Sequence, residues 1–302
     1  MKLWKRSLPV LVLALVLVLP AVSSALELPK IVSTEWLEKN SGDPALRIVD
    51  IRKAEEYKAG HVPNAINQFY GAWAVTREKL MNQLPEEDEL LALLEGTGIG
   101  KDTPVVVVGK VDTVADQVNQ TRIAYTLRYA GVAQVGVLDG GFNKWVADKK
   151  AVSTEPGKTA AAQGKALFNK GILATKGDVL SKIGKATIVD TRTPDFFFGA
   201  SKLPFVARAG HIPHAVSLPS AWIFTKEGAF RPKDELASMA EGVVGKDKAG
   251  EIILYCDTGR LASGWWFVLS EVFGYQNVRM YDGSSEEWAA DANAPMVKHS
   301  WK

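Results

Sequence analysis

Cysteine is nearly absent from this chain: Cys256 is the single one among 302 residues. One thiol excludes an intrachain disulfide and any multi-cysteine zinc or iron–sulfur centre. Histidine is scarce too, with four residues, and no metal or other cofactor is expected. Net charge is also missing. Basic side chains number 36 against 34 acidic ones, and Lys2, Lys5 and Arg6 at the start of the chain more than account for the excess. No basic surface is left over to hold nucleic acid. Beyond residue 20 no apolar run approaches the roughly 18 residues that a membrane span needs, so no membrane contact is expected of the mature chain. What remains is ordinary for a folded protein, 47% hydrophobic and 23% charged, with length for two domains.

Residues 1–25 read as a secretory signal peptide. A basic start is followed by apolar residues 8–20 and then Ala21-Val22-Ser23-Ser24-Ala25, with small residues at both positions a signal peptidase reads. An uncleaved anchor is the rival reading, and the short run with Pro9 and Pro20 argues against it. Cleavage after Ala25 predicts an exported, periplasmic protein. An unpaired cysteine is unusual in an oxidising compartment, which marks Cys256 as a candidate functional group.

The remaining chain matches itself in four places, in the same order. Ile48-Val49-Asp50-Ile51-Arg52 resembles Ile188-Val189-Asp190-Thr191-Arg192, and Gly60-His61-Val62-Pro63 resembles Gly210-His211-Ile212-Pro213. Residues 105–108 correspond to 252–255, and Asp139-Gly140-Gly141 with Trp145 corresponds to Asp282-Gly283-Ser284 with Trp288. Such self-similarity implies two copies of one unit. The composition of residues 149–165, rich in Lys, Ala, Thr and Gly, is that of an exposed linker. The domains are therefore placed at 26–150 and 167–302, joined by a linker at 151–166.

Within each unit, short apolar runs without polar alternation predict strands buried on both faces: 47–51, 105–108 and 134–138, then 187–190, 251–255 and 278–281. Helical patterns separate them, at 34–40, 86–94, 120–130, 176–183, 234–240 and 262–273. This alternation implies an α/β fold with a mostly parallel sheet in each unit. Loops at the carboxyl ends of such strands are the usual ligand sites, and Cys256 lies in one.

The segment Tyr255-Cys256-Asp257-Thr258-Gly259-Arg260-Leu261-Ala262 runs from a buried strand through a short loop into a helix. That geometry curls backbone N–H groups around the sulfur and aims a helix amino end at it, both of which favour the thiolate. Gly259 permits the curl, and Arg260 offers a cation to an anionic substrate. Asp257 opposes them by raising the thiol pKa unless it points to solvent. A small buried hydrophobe ending a core strand is the plain alternative for Cys256. The first unit has Gly109 in the place of Cys256 and Lys110 in that of Asp257, so only the second holds a nucleophile.

The ordered set Val-Asp-x-Arg, Gly-His-x-Pro, a strand ending in Cys-x-x-Gly, and Asp-Gly-Gly/Ser followed by Trp resembles the rhodanese family. The duplication resembles its tandem sulfurtransferases, with an inactive first and a catalytic second rhodanese-like domain. That resemblance implies that Cys256 takes a sulfane sulfur from a small anionic donor, thiosulfate ahead of 3-mercaptopyruvate, and passes it to a thiol or cyanide. It makes Asp257, Thr258, Gly259, Arg260, Leu261 and Ala262 the anion-cradling loop and adds Arg192 as a substrate contact. The loop departs from the Arg-Lys-Gly and Gly-Ser-Gly that usually follow this cysteine, and Phe196 stands where the family has a substrate-binding arginine. Arg260 or Arg208 is expected to supply that charge. Duplicated Arg52 and Arg192 also fit a structural ion pair with Asp50 and Asp190, and His61 and His211 fit loop anchors. A non-catalytic sulfur carrier is the second reading. A phosphatase or arsenate reductase is a remote third, because the arginine it needs six positions after the cysteine is Ala262 here.

Overall fold

The structure is a computed structural model that describes residues 26–159, 161–162 and 164–301. Residues 1–25, where the sequence predicts a signal peptide, lie outside the described residues. Two five-stranded sheets share one topology. The first takes its strands from β1 (Ile31–Val32), β2 (Arg47–Asp50), β3 (Ile66–Asn67), β6 (Val105–Val108) and β7 (Val135–Leu138), in the order β1-β7-β6-β2-β3. The second uses β8 (Leu173–Ala174), β9 (Thr187–Asp190), β10 (Val216–Ser217), β11 (Glu251–Tyr255) and β12 (Asn277–Tyr281), in the equivalent order β8-β12-β11-β9-β10. Every pairing inside these two sheets is parallel. Between β3 and β6 the first unit adds an antiparallel hairpin, β4 (Val75–Arg77) and β5 (Leu80–Gln83). Glu78 and Lys79 form its two-residue turn, both at positive φ (51° and 71°), as a type I′ turn requires.

The central strands fall where their apolar runs place them, because both faces of each are covered. Side chains alternate between two cores. Val105 and Val107 face a core common to both units, whereas Val106 and Val108 face an outer core under the first unit's other helices. In the second unit Ile252 and Leu254 point to the common core, and Ile253 and Tyr255 to the outer one. The period of two carries on to Cys256, which joins the inward row. It leaves the sheet between the two units and not at the outer surface.

The common core is closed by two helical segments. One is Val114–Tyr129, capped by Thr113, whose hydroxyl accepts from the Asp116 amide, and buried over most of its circumference. The other is Ala262–Trp266, which continues as a π-helix over Phe267–Val272 in place of the unbroken α-helix predicted for 262–273. Tyr125 meets Trp266 edge to face at 4.9 Å, and the hydroxyls of Thr121 and Ser263 hydrogen-bond at 3.0 Å. Trp265, Trp266 and Phe267 are core residues. An apolar residue on a helix buried on all sides has no polar face to show, so the sequence period of this helix is weak.

The linker begins as part of the first unit. Ser153 pairs with His61 through both backbone bonds at 2.9 Å, and Gly157 N donates to Ala65 O. Val297 straps His211 in the same way in the second unit. Both imidazoles are anchors, each stacked on an aromatic ring (Tyr57 at 3.7 Å, Phe197 at 3.9 Å) with Nδ1 at 2.8 Å from a backbone carbonyl.

Candidate active site

Strand β11 ends at Tyr255, and the chain turns through Cys256 to Leu261 before entering the Ala262–Trp266 helix. Backbone N–H groups of Thr258, Ala262 and Leu261 point at the sulfur. Gly259 makes the curl possible with φ 76°; a Cβ there would lie 2.6 Å from Asp282 Oδ1. A second loop braces the first. Ser284 Oγ accepts from the amides of Cys256 (3.2 Å) and Gly259 (2.9 Å), and the amides of Ser285 and Glu286 donate to the carbonyls of Cys256 and Asp257. Ser284 adopts φ 50° to do so. The Asp-Gly-Ser motif was visible in sequence, but its use as a clamp on the cysteine loop was not.

The first unit supplies the rest. Cys256 opens on a cavity of about 280 Å³ lined by Asp257, Thr258, Arg260 and Leu261, by Leu203 and Phe205, and by Met81, Asn82 and Ala115 from the first unit. The β4–β5 hairpin is stitched down by Met81 N to Glu286 Oε2 (2.9 Å), Leu84 N to Asp282 Oδ2 (2.8 Å) and Asn82 Nδ2 to Thr258 Oγ1 (3.0 Å). Asp282 is held in turn by Arg122, fully buried on the Val114–Tyr129 helix. The first-unit partners Met81, Asn82, Leu84 and Arg122 share no local motif with the cysteine, and sequence reasoning missed them.

The site's charges differ from expectation in three ways. Arg192, named as a substrate contact, does not line the cavity: it is 1% exposed, its Nε and Nη2 grip Asp190, and Nη2 also donates to Gly210 O at 2.8 Å. Arg52 repeats that arrangement on Asp50 and Gly60 O, so the duplicated arginine fixes a loop. Arg208 is equally committed, with its guanidinium on the carbonyls of Trp288, Ala289, Asp291 and Ala294. Only Arg260 of the named arginines reaches the cavity, steadied by Asn119 Oδ1 at 2.8 Å and by the Tyr70 ring at 5.1 Å.

The third difference concerns the sulfur. Burial and then the Asp257 carboxylate push the Cys256 thiol above its ordinary value, against the three amides that pull it down. Asp257 faces inward, with Oδ1 3.5 Å from Arg192 Nη1, and neither atom has a hydrogen-bond partner. Burial raises its own pKa to about 6. The cradle expected to favour a thiolate is therefore set for one that forms only with a cost, unless an incoming group replaces solvent or the carboxylate is protonated. Among the described residues no cluster of three or more metal-ligating side chains is found.

A cysteine in an amide-lined loop at a strand's carboxyl end, matched by Gly109 in the first unit, narrows the identity, and comparison with known proteins decides it. The rhodanese-like domain family matches residues 33–148 and 175–291. The chain belongs to the rhodanese family. It is 31% identical over 287 residues to the sulfur carrier protein TtuD of Thermus thermophilus, an alignment spanning 89% of this chain and 96% of that one. It is also 31% identical to a Mycolicibacterium smegmatis protein named "Putative thiosulfate sulfurtransferase", over 88% of this chain and 96% of that one. Among solved structures, the anaerobic ergothioneine biosynthesis enzyme of Chlorobium limicola superposes with a TM-score of 0.80 at 23% identity, covering 90% of this chain and 70% of that one. At that identity the likeness concerns the fold. In the first unit Gly109 stands in the cysteine's place, and a Cβ there would press on the Gln120 and Ile51 side chains at 3.0 and 3.3 Å.

Proposed function

We propose that this protein is a sulfurtransferase that carries a sulfane sulfur as a Cys256 persulfide. The observation that carries this reading is the sulfur itself, set against a small cavity with three backbone N–H groups aimed at it and one guanidinium at its edge. The amides and the guanidinium favour negative charge on the acquired sulfur, and on the attacking sulfur they offset part of what burial and Asp257 cost. With thiosulfate, the donor favoured by the names of the relatives, the Cys256 thiolate attacks the outer sulfur. The Sγ–S bond forms, the old S–S bond breaks, and its electron pair leaves with sulfite. A thiol or cyanide then attacks the outer sulfur of the persulfide, leaves as a persulfide or thiocyanate, and returns the thiolate. The substrate contacts in this reading are the backbone of 257–262, the Thr258 hydroxyl and Arg260. Export to the periplasm, through the signal peptide at 1–25, belongs to the same proposal.

A second reading, a carrier that holds sulfur for a partner protein without rapid turnover, is favoured by the apolar rim. Phe205 is 43% exposed at the cavity mouth beside Leu203, a surface suited to contact with another protein. A phosphatase is not supported, because Arg260 sits at the edge, bound to Asn119, and Ala262 brings no second guanidinium.

Intact mass of the mature protein before and after incubation with thiosulfate or 3-mercaptopyruvate, alongside Cys256→Ser, tests the proposal. Gain of one sulfur atom only where Cys256 is present supports it. No gain with either donor overturns it. A persulfide that forms but turns over slowly with cyanide and small thiols selects the carrier reading.

A further inference from the structure

We infer that Asn82, from the unit without a cysteine, is a positioning residue for sulfur uptake: it orients the Thr258 hydroxyl so that its hydrogen points to the sulfur carried by Cys256. The inference rests on the sulfurtransferase reading above.

Three linked contacts lead to it. The Tyr70 phenol donates to Asn82 Oδ1 at 2.8 Å, and Asn82 Nδ2 donates to Thr258 Oγ1 at 3.0 Å. Tyr70 keeps its proton, since burial pushes its pKa up to about 12. An amide has a donating end and an accepting end, so the direction of the first bond fixes that of the second. A hydroxyl that accepts from an amide keeps its own hydrogen for another acceptor. Thr258 lines the cavity and its backbone N–H already points at Cys256, so that hydrogen meets whatever is attached to the sulfur. In a persulfide anion the outer sulfur bears the negative charge and is the acceptor. No proton is transferred; the hydroxyl stabilises charge that develops as the Sγ–S bond forms.

Asn82 is held for this task. Its φ of 56° lies in the left-handed region, which asparagine tolerates better than most residues with a side chain. Met81 and Leu84 on either side are tied to Glu286 and Asp282, the loop that also clamps Cys256. The first unit thus sets the polarity of a group in the second unit's site.

The test is sulfur uptake from thiosulfate by the full mature protein, as kcat/KM with cyanide as acceptor and as single-turnover persulfide formation by mass. Thr258→Val is expected to lower kcat/KM by about 10-fold or more, the usual loss for a hydrogen bond to a charged group, and Thr258→Ser to retain it. Asn82→Asp is nearly isosteric but only accepts, so it draws the hydrogens of both Tyr70 and Thr258. It is expected to lose a similar factor, and Thr258→Val/Asn82→Asp no more than either alone. A carboxylate acting merely by repelling the donor would slow the Thr258→Val protein too, and multiplied losses overturn the inference. Asn82→Gly suits the left-handed backbone, which offsets part of the two lost hydrogen bonds, so it should unfold within a few degrees of the wild type yet take up sulfur slowly. Wild-type uptake in Asn82→Asp also overturns the inference, because the Thr258 hydrogen would then face residue 82 already. If the wild type gains no sulfur at all, the underlying sulfurtransferase reading fails; if it gains sulfur and the variants match it, only the role of Asn82 fails.

Discussion

Replacing Asp257 by Asn should make the protein more stable and its cysteine more acidic, and the size of the first effect follows from the structure. The Asp257 side chain is almost fully enclosed, its Oδ1 lacks a hydrogen bond, and the facing Arg192 is already paired with Asp190 through Nε and Nη2, leaving only Nη1 at 3.5 Å from Asp257 without forming a hydrogen bond. Burial raises the carboxyl from 3.8 to about 6. A folded-state pKa above the unfolded one means that the protonated form suits the fold. The contribution is complete below pH 3.8 and is lost as pH rises through about 6. At 1.36 kcal/mol per unit, the ionised carboxylate costs the fold about 3 kcal/mol at neutral pH. Asp257→Asn removes that charge while keeping the shape. Calorimetry at pH 8 is expected to show an unfolding temperature higher by about 5 °C or more, with the gap closing toward pH 4. The same change removes the second cause that holds the Cys256 thiol up, so alkylation of Cys256 followed against pH should report a lower apparent pKa. A variant no more stable than wild type at pH 8, or an unchanged alkylation profile, would refute this account of the loop's electrostatics.

Three other outcomes follow from contacts around the site. Arg260→Ala should raise KM for an anionic donor by about 10- to 100-fold with stability nearly unchanged, since Arg260 is at the cavity edge; steady-state kinetics and a thermal melt together check it. Gly259→Ala should destabilise by about 2 kcal/mol or more and abolish uptake, because φ 76° and a Cβ 2.6 Å from Asp282 Oδ1 force the loop open, as denaturant unfolding would measure. Arg122→Met should cost about 3–5 kcal/mol by leaving Asp282 buried and unpaired, and adding Asp282→Asn should restore much of it in the same unfolding assay.

What could be read from the sequence divides by range. Strands such as Val105–Val108 and Thr187–Asp190 were placed correctly because burial on both faces leaves a continuous apolar run. The edge strands β1, β3, β8 and β10 were not seen, since two residues carry no period. Cys256 stood out because a lone thiol, a strand end and a glycine lie within a few residues, and because the matching position of the first unit, Gly109, has no thiol. The cavity's far wall did not, because Asn82 and Thr258 are brought together only by the packing of one unit on the other, and the β4–β5 hairpin is polar and short. For Arg192 the ion pair with Asp190 is the reading the structure shows and the substrate contact is not, and Arg208 is held by carbonyls; in both cases a sequence shows a charge but not the groups that have already claimed it.

The core common to both units has a consequence for how the molecule comes apart. Removing the cysteine-free unit would expose Trp265, Trp266 and Phe267 to water and strip the cover from the face of the sheet on which Cys256 sits. Neither half has a complete interior alone. Heating should accordingly give a single cooperative transition, with neither copy melting ahead of the other.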